Sequence, residues 1–259
     1  MATTRHEDSH PGRGLRASRR RSSAPPAGRS RSSRTVTTGL RIVRAALHRT
    51  GLLLAADRDF PNVFTLVTGR TPVGSWWGDP DSGVVYAVLR GMERGRTVLR
   101  LRLLAGKWTY IDRSLWPALL RVVERRRAWQ EAGLSLLQRR MLERVNRIGV
   151  LDLQDPASRG GVTLGSAGDA ARELERRLLV VSHEVHTPMG LHTKTLESWA
   201  AWKRRHRAQP GRMHEPQARD IIERVVAELA PGSRLVGKLP WTPSGARDRK
   251  PGPRRRADR

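Results

Sequence analysis

Between residues 134 and 202 the hydrophobic period changes three times, and few folds accommodate that order. Leu134, Leu137, Met141, Val145 and Ile148 recur at steps of three and four, the spacing of a buried helical stripe. Ser135 with Gln138 has capping-box spacing at its start, and Gly149 stops it. A short strand follows, then residues 155–165, whose Gly, Pro and Ser content predicts a loop. Ser166 with Asp169 predicts a second capping box, opening a helix with Ala170, Ala171, Leu174 and Leu178 inward. Residues 179–186 and 191–199 then read as two strands joined at Thr187-Pro188-Met189-Gly190.

A similar order occurs earlier in the chain. Leu40, Val43, Ala46 and Leu47 predict a helix over 40–55, and Val63, Phe64 and Val67 a short one after Pro61. Asp79-Pro80 is a helix start, with Val84, Val85, Val88 and Leu89 inward and an end near Gly95. Residues 97–104 alternate apolar and basic, as a half-exposed strand would, and Ala105-Gly106-Lys107 turns it into the return strand 108–111. Asp112 and Ser114 cap a further helix carrying Leu115, Leu119 and Val122 or Val123 on one face, with Trp116 and Trp129 expected in the core. Glu215-Pro216 opens a last helix with Ile221, Ile222, Val225, Val226 and Leu229 inward.

The pattern predicts an α+β protein, mainly helical, of two tandem winged helix-turn-helix-like units at 39–128 and 129–208. A C-terminal helix and packing segment should follow at 209–241. The flanks, 1–38 and 242–259, are rich in Arg and poor in large apolar residues, so they read as disordered basic tails. They carry net +7 and +5 of the formal +26, leaving +14 on the part expected to fold.

Such a balance points to a polyanionic partner. Only five of the 50 basic side chains are Lys, the bias of a GC-rich bacterial genome, so part of the charge reflects codon composition. The absence of Cys excludes disulfides, thiolate metal sites and Cys nucleophiles. No apolar run approaches the roughly 18 residues of a membrane span, and no apolar segment follows the N-terminal arginines as in a secretory signal. The expected location is the bacterial cytoplasm, with association with the nucleoid open.

The candidate nucleic-acid contacts follow from placement. Arg172, Arg176 and Arg177 lie on the helix in the recognition position, able to reach phosphates or guanine edges. His183, His186 and Lys194 lie on the hairpin, and Arg139, Arg140, Arg144 with Lys203, Arg204 and Arg205 form basic faces for phosphates. The competing reading of each is a solvated surface, balanced on the recognition helix by Glu173 and Glu175. His183 and His186 are three apart on a strand, so their rings should point to opposite faces, unlike the i, i+4 helical pair of a zinc protease. No phosphate loop, dinucleotide fingerprint, metal set or cofactor motif is present, and no catalytic residue can be named.

With these residues in view, the chain resembles the AlkZ/YcaQ-type winged-helix proteins, some of which are DNA glycosylases. The resemblance rests on Phe64-Thr-Leu-Val-Thr-Gly-Arg70, Gly74-Ser-Trp-Trp-Gly78, Gly106-Lys-Trp-Thr-Tyr-Ile-Asp-Arg113 and Leu115-Trp-Pro-Ala-Leu119, over about residues 50–208. It implies tandem winged helices that bind DNA. The glycosylase branch needs a Gln-x-Gln or Gln-x-Asp pair, whereas Gln154-Asp155 lacks the intervening residue, so no catalytic residue carries over. The expected function is double-stranded DNA binding; the alternatives are a glycosylase-like repair enzyme and a module binding RNA or protein.

Overall fold

The computed structural model describes residues 28–186, 192–233, 235 and 237–242. The expected arm before residue 28, the hairpin turn at 187–190 and the tail after 242 lie outside the described residues. Helix α1 (Gly28–Thr50) begins well inside the stretch read as a disordered arm. Val36, Leu40, Val43 and Leu47 carry one stripe through it and pack into a common core, which holds the longer helix. The helix ends at Gly51 rather than running to Ala55, because Gly51 turns the chain with φ of +75°. A Cβ there would come within 2.9 Å of Leu115 Cδ1, so the turn demands glycine on two counts.

The first unit continues with β1 (Leu52–Leu54), α2 (Val63–Thr68), α3 (Ser82–Glu93), β2 (Val98–Leu104) and β3 (Lys107–Asp112). Asn62 caps α2, accepting from the Thr65 N–H at 2.9 Å while its own amide donates to Asp57 and Phe60 carbonyls. Helix α3 starts at Ser82, not at Pro80: Asp79 pairs with Arg70 while its carboxylate accepts from the Asp81 N–H and its carbonyl from the Ser82 N–H, which closes a turn ahead of the helix. The antiparallel sheet has the order β1-β3-β2, with Leu53 opposite Tyr110 and Leu99 opposite Ile111.

Both faces of this sheet are covered. Leu53, Val98 and Tyr110 join α1, α2 and α3 in one core, while Leu52, Leu54, Leu99, Leu101 and Ile111 join a second. Strand β2 is therefore not half-exposed as its alternation predicts. Its arginines stack instead: the guanidiniums of Arg100 and Arg102 each lie 4.1 Å from the Trp108 ring centroid.

The second unit repeats the element order with α6 (Leu136–Ile148), β4 (Val150–Asp152), α7 (Pro156–Arg159), α8 (Leu164–Arg176), β5 (Val181–His186) and β6 (His192–Glu197). Its sheet order, β4-β6-β5, is again first, third, second. The Ser135–Gln138 capping box forms in both directions. Several expectations fail locally: α7 forms inside the stretch 155–165 read as a loop, and the last strand stops at Glu197 because Ser198 caps α9. Ile148 is 51% exposed, and Leu142 takes its place in the core because the stripe drifts around α6. Thr163, not Ser166, caps α8, accepting from the Ser166 N–H at 3.2 Å.

Between the units lies the core that the second face of the first sheet requires. It is built by α4 (Trp116–Glu124), α9 (Trp199–His206) and α10 (Glu215–Leu229), with Leu239 and Trp241 closing it; a short helix, α5 (Ala128–Glu131), leads into the second unit. Trp116 meets Trp202 edge-on at 4.8 Å, and Trp202 stacks on His206 at 4.5 Å. Burial first, then the Arg205 charge, holds the His206 imidazole below its ordinary pKa. Trp202→Ala is expected to cost about 4 kcal/mol in denaturant unfolding, with the two units losing their common transition; a loss under about 1 kcal/mol would contradict this packing role.

Candidate nucleic-acid interface

A cation can hold a phosphate cheaply only if an internal carboxylate does not already hold it. That criterion divides the twelve candidate residues. On α8, Arg172 pairs with Asp169 at 3.1 Å, and Arg176 and Arg177 both pair with Glu173. Arg177 also donates to the carbonyls of Gln130 and Ala132, so it ties α8 to α5 rather than facing outward. Burial pushes the Glu173 carboxyl up, yet the hydrogen bond from Arg177 and both charges outweigh it and hold it below its ordinary value.

The hairpin candidates are similarly engaged. Lys194 reaches buried Glu175 at 2.7 Å, and Arg102 of the first unit reaches the same carboxylate at 3.0 Å. His183 Nε2 lies 2.9 Å from Glu197 Oε2, and Arg205 closes on the same carboxylate from α9. Lys203 is ion-paired with Glu124. His186 ends β5 opposite His192, and its side chain lies outside the described residues. Among the described residues no group of three His, Asp or Glu side chains is placed to hold a metal ion.

Arg139, Arg140, Arg144 and Arg204 remain. Arg139 donates to the Leu134 carbonyl at 3.1 Å, and Arg204 is exposed at the end of α9. Arg140 and Arg144 lie on α6 with Arg147, which belongs to the same stripe at i, i+4, i+7 and was not among the candidates. These three have no carboxylate within salt-bridge distance among the described residues. The stripe spans about 10 Å at 1.5 Å per residue. It borders a groove of about 680 Å3 between α6 and the α7 loop, floored by Leu136, Leu137, Met141 and Val162. Arg159 on the opposite wall donates to the carbonyls of Leu153, Gln154 and Val162, which fixes that wall.

A carboxylate in a pocket is what an enzymatic reading requires, and Asp57 lies in one of about 330 Å3 beside Trp76. Its oxygens are already spent on Lys107 Nζ at 2.5 Å and on the Asp59 and Phe60 N–H groups. Burial pushes this carboxyl up, but those bonds outweigh it and keep it ionised.

The Glu197 cluster makes a pH prediction. Burial raises its carboxyl, and the bonds from His183 and Arg205 outweigh that, so its folded pKa lies below the ordinary 4.5. A depressed carboxylate pKa contributes stability above 4.5 that is lost as pH falls through the folded value. Unfolding free energy should therefore drop on acidification below that pH, and Glu197→Gln should flatten the drop; an unchanged acid slope would contradict the assignment. Compared with family models, curated proteins and solved structures, the chain finds no match in any of the three.

Proposed function

We propose that the chain binds double-stranded DNA through tandem winged-helix-like units, with the α6 stripe as its main phosphate contact. The observation that carries this reading is the contrast between helices: the α8 arginines are paired with carboxylates, whereas Arg140, Arg144 and Arg147 form no ion pair among the described residues. Two further points support it. The order helix, strand, helix, helix, strand, strand occurs twice with the same first-third-second sheet order, a recurrence compatible with a winged-helix plan. The resemblance to the AlkZ/YcaQ-type proteins points the same way.

On this reading the protein grips backbone more than it reads bases. Phosphate contacts position a protein without carrying sequence information, and base readout would need α8 side chains that first give up their pairs with Asp169 and Glu173, a small cost for exposed Arg172 and a larger one for half-buried Arg177. Low sequence preference follows. The second helix of this kind, α3, offers little alternative, since its Arg90 donates to the Glu184 carbonyl of β5.

In titrations of the full chain against duplex DNA, affinity should fall linearly with log salt. The double variant Arg140→Gln, Arg144→Gln should reduce that slope by about 2, at roughly 0.9 per lost phosphate contact. Arg172→Gln should change it by well under 1. Salt-insensitive binding, or a greater effect at Arg172 than at the α6 pair, would overturn the proposal.

A further inference from the structure

The α6–α7 groove has more in it than a phosphate track uses. Its volume of about 680 Å3 lies within the range of small-ligand sites. A DNA backbone needs the cations at the rim and has no use for the apolar floor beneath them. Part of that floor is open: Leu136 is 64% exposed at the start of α6 and Leu137 is half-buried, while Met141 beneath them belongs to the core.

The polar side is equally unfinished. Among the described residues Arg144 Nε is buried with no hydrogen-bond partner, and its charge is felt by Asp155 without a hydrogen bond between them, so a buried donor of the groove wall is left without an acceptor. The acids nearby do not supply the acceptor. Asp155 caps α7, accepting from the N–H groups of Ala157 and Ser158 and from Ser158 Oγ. Glu143 is exposed on the rim and forms no described ion pair. A purely apolar ligand would leave Arg144 unpaired, and inorganic phosphate would leave Leu136 and the half-buried Leu137 wet.

We propose that this groove is a binding site for a small amphipathic anion, its phosphate or carboxylate head on Arg140, Arg144 and Arg147 and its apolar body on Leu136, Leu137 and Met141. Because the head takes the arginines assigned to DNA phosphates, the ligand excludes duplex from α6 and acts as an effector. The exclusion rests on the DNA reading; the binding does not.

Calorimetry on the full chain with four probes tests the site: thymidine monophosphate, decanoate, inorganic phosphate and thymidine. At least one of the first two should bind about tenfold more tightly than both inorganic phosphate and thymidine, a difference of about 1.4 kcal/mol. The nucleotide being the tighter assigns the site to nucleotides, and decanoate to aliphatic acids. Arg144→Gln should weaken that binding about tenfold. Arg147→Gln and Leu136→Ser, at exposed positions, should weaken it too and keep the test valid if Arg144→Gln does not fold. Equal binding of inorganic phosphate, binding of no probe, or indifference to all three substitutions overturns the proposal. The bound anion should also displace duplex; calorimetric binding without any duplex affinity would leave this site standing and remove the DNA reading alone.

Discussion

Where Trp202 stacks on His206 and meets Trp116 edge-on, the last helix of the second unit is packed into a core that the first unit cannot close by itself. The cause lies in the first sheet. Its two faces are both apolar, with Leu52, Leu99, Leu101 and Ile111 on the side away from α1 and α3. Water on that face would cost about 25 cal/mol per Å2, so α4, α9 and α10 are needed as a third layer. Covering the sheet this way also fixes the two units side by side, and the ionic seam Arg102–Glu175–Lys194 runs along the junction.

That seam determines which cations are left for solvent. Glu175, Glu197 and Glu124 lie at junctions between elements, and each takes a basic side chain that would otherwise be available. Breaking such a pair leaves a largely buried carboxylate without its partner, which is why these cations are poor donors to an outside phosphate. Helix α6 lies away from the seam. Among the described residues its Arg140, Arg144 and Arg147 form no ion pair, with Asp155 the carboxylate that feels the Arg144 charge, so the second unit offers more unpaired positive charge on its first helix than on α8.

Local chemistry was legible in the sequence. The Ser135–Gln138 box, the Gly149 stop, the α10 stripe and the β2–β3 hairpin all follow from side chains within one or two turns of each other. So did the class, α+β and mainly helical. What was not legible is pairing at long separation: Arg102 with Glu175, Lys203 with Glu124 and Arg127 with Glu215 are 73, 79 and 88 residues apart. A sequence shows that an arginine is charged, and only packing shows what neutralises it. The same limit explains β2, where alternation suggested solvent on one face and Trp108 with α8 cover it instead. Helix α1 was misjudged for another reason: its first turns are Ser- and Arg-rich, and Val36 alone signals that the stripe continues. The groove beside α6 left a faint sign, since Leu136 breaks the α6 pattern at an exposed position.

Arginine-selective chemical modification of the full chain, read residue by residue with and without duplex DNA, tests most directly the claim that internal carboxylates choose the binding face. Duplex should protect Arg140, Arg144 and Arg147 and leave Arg172, Arg176 and Arg205 as reactive as in the free protein. Protection of the α8 arginines with α6 unchanged would contradict it.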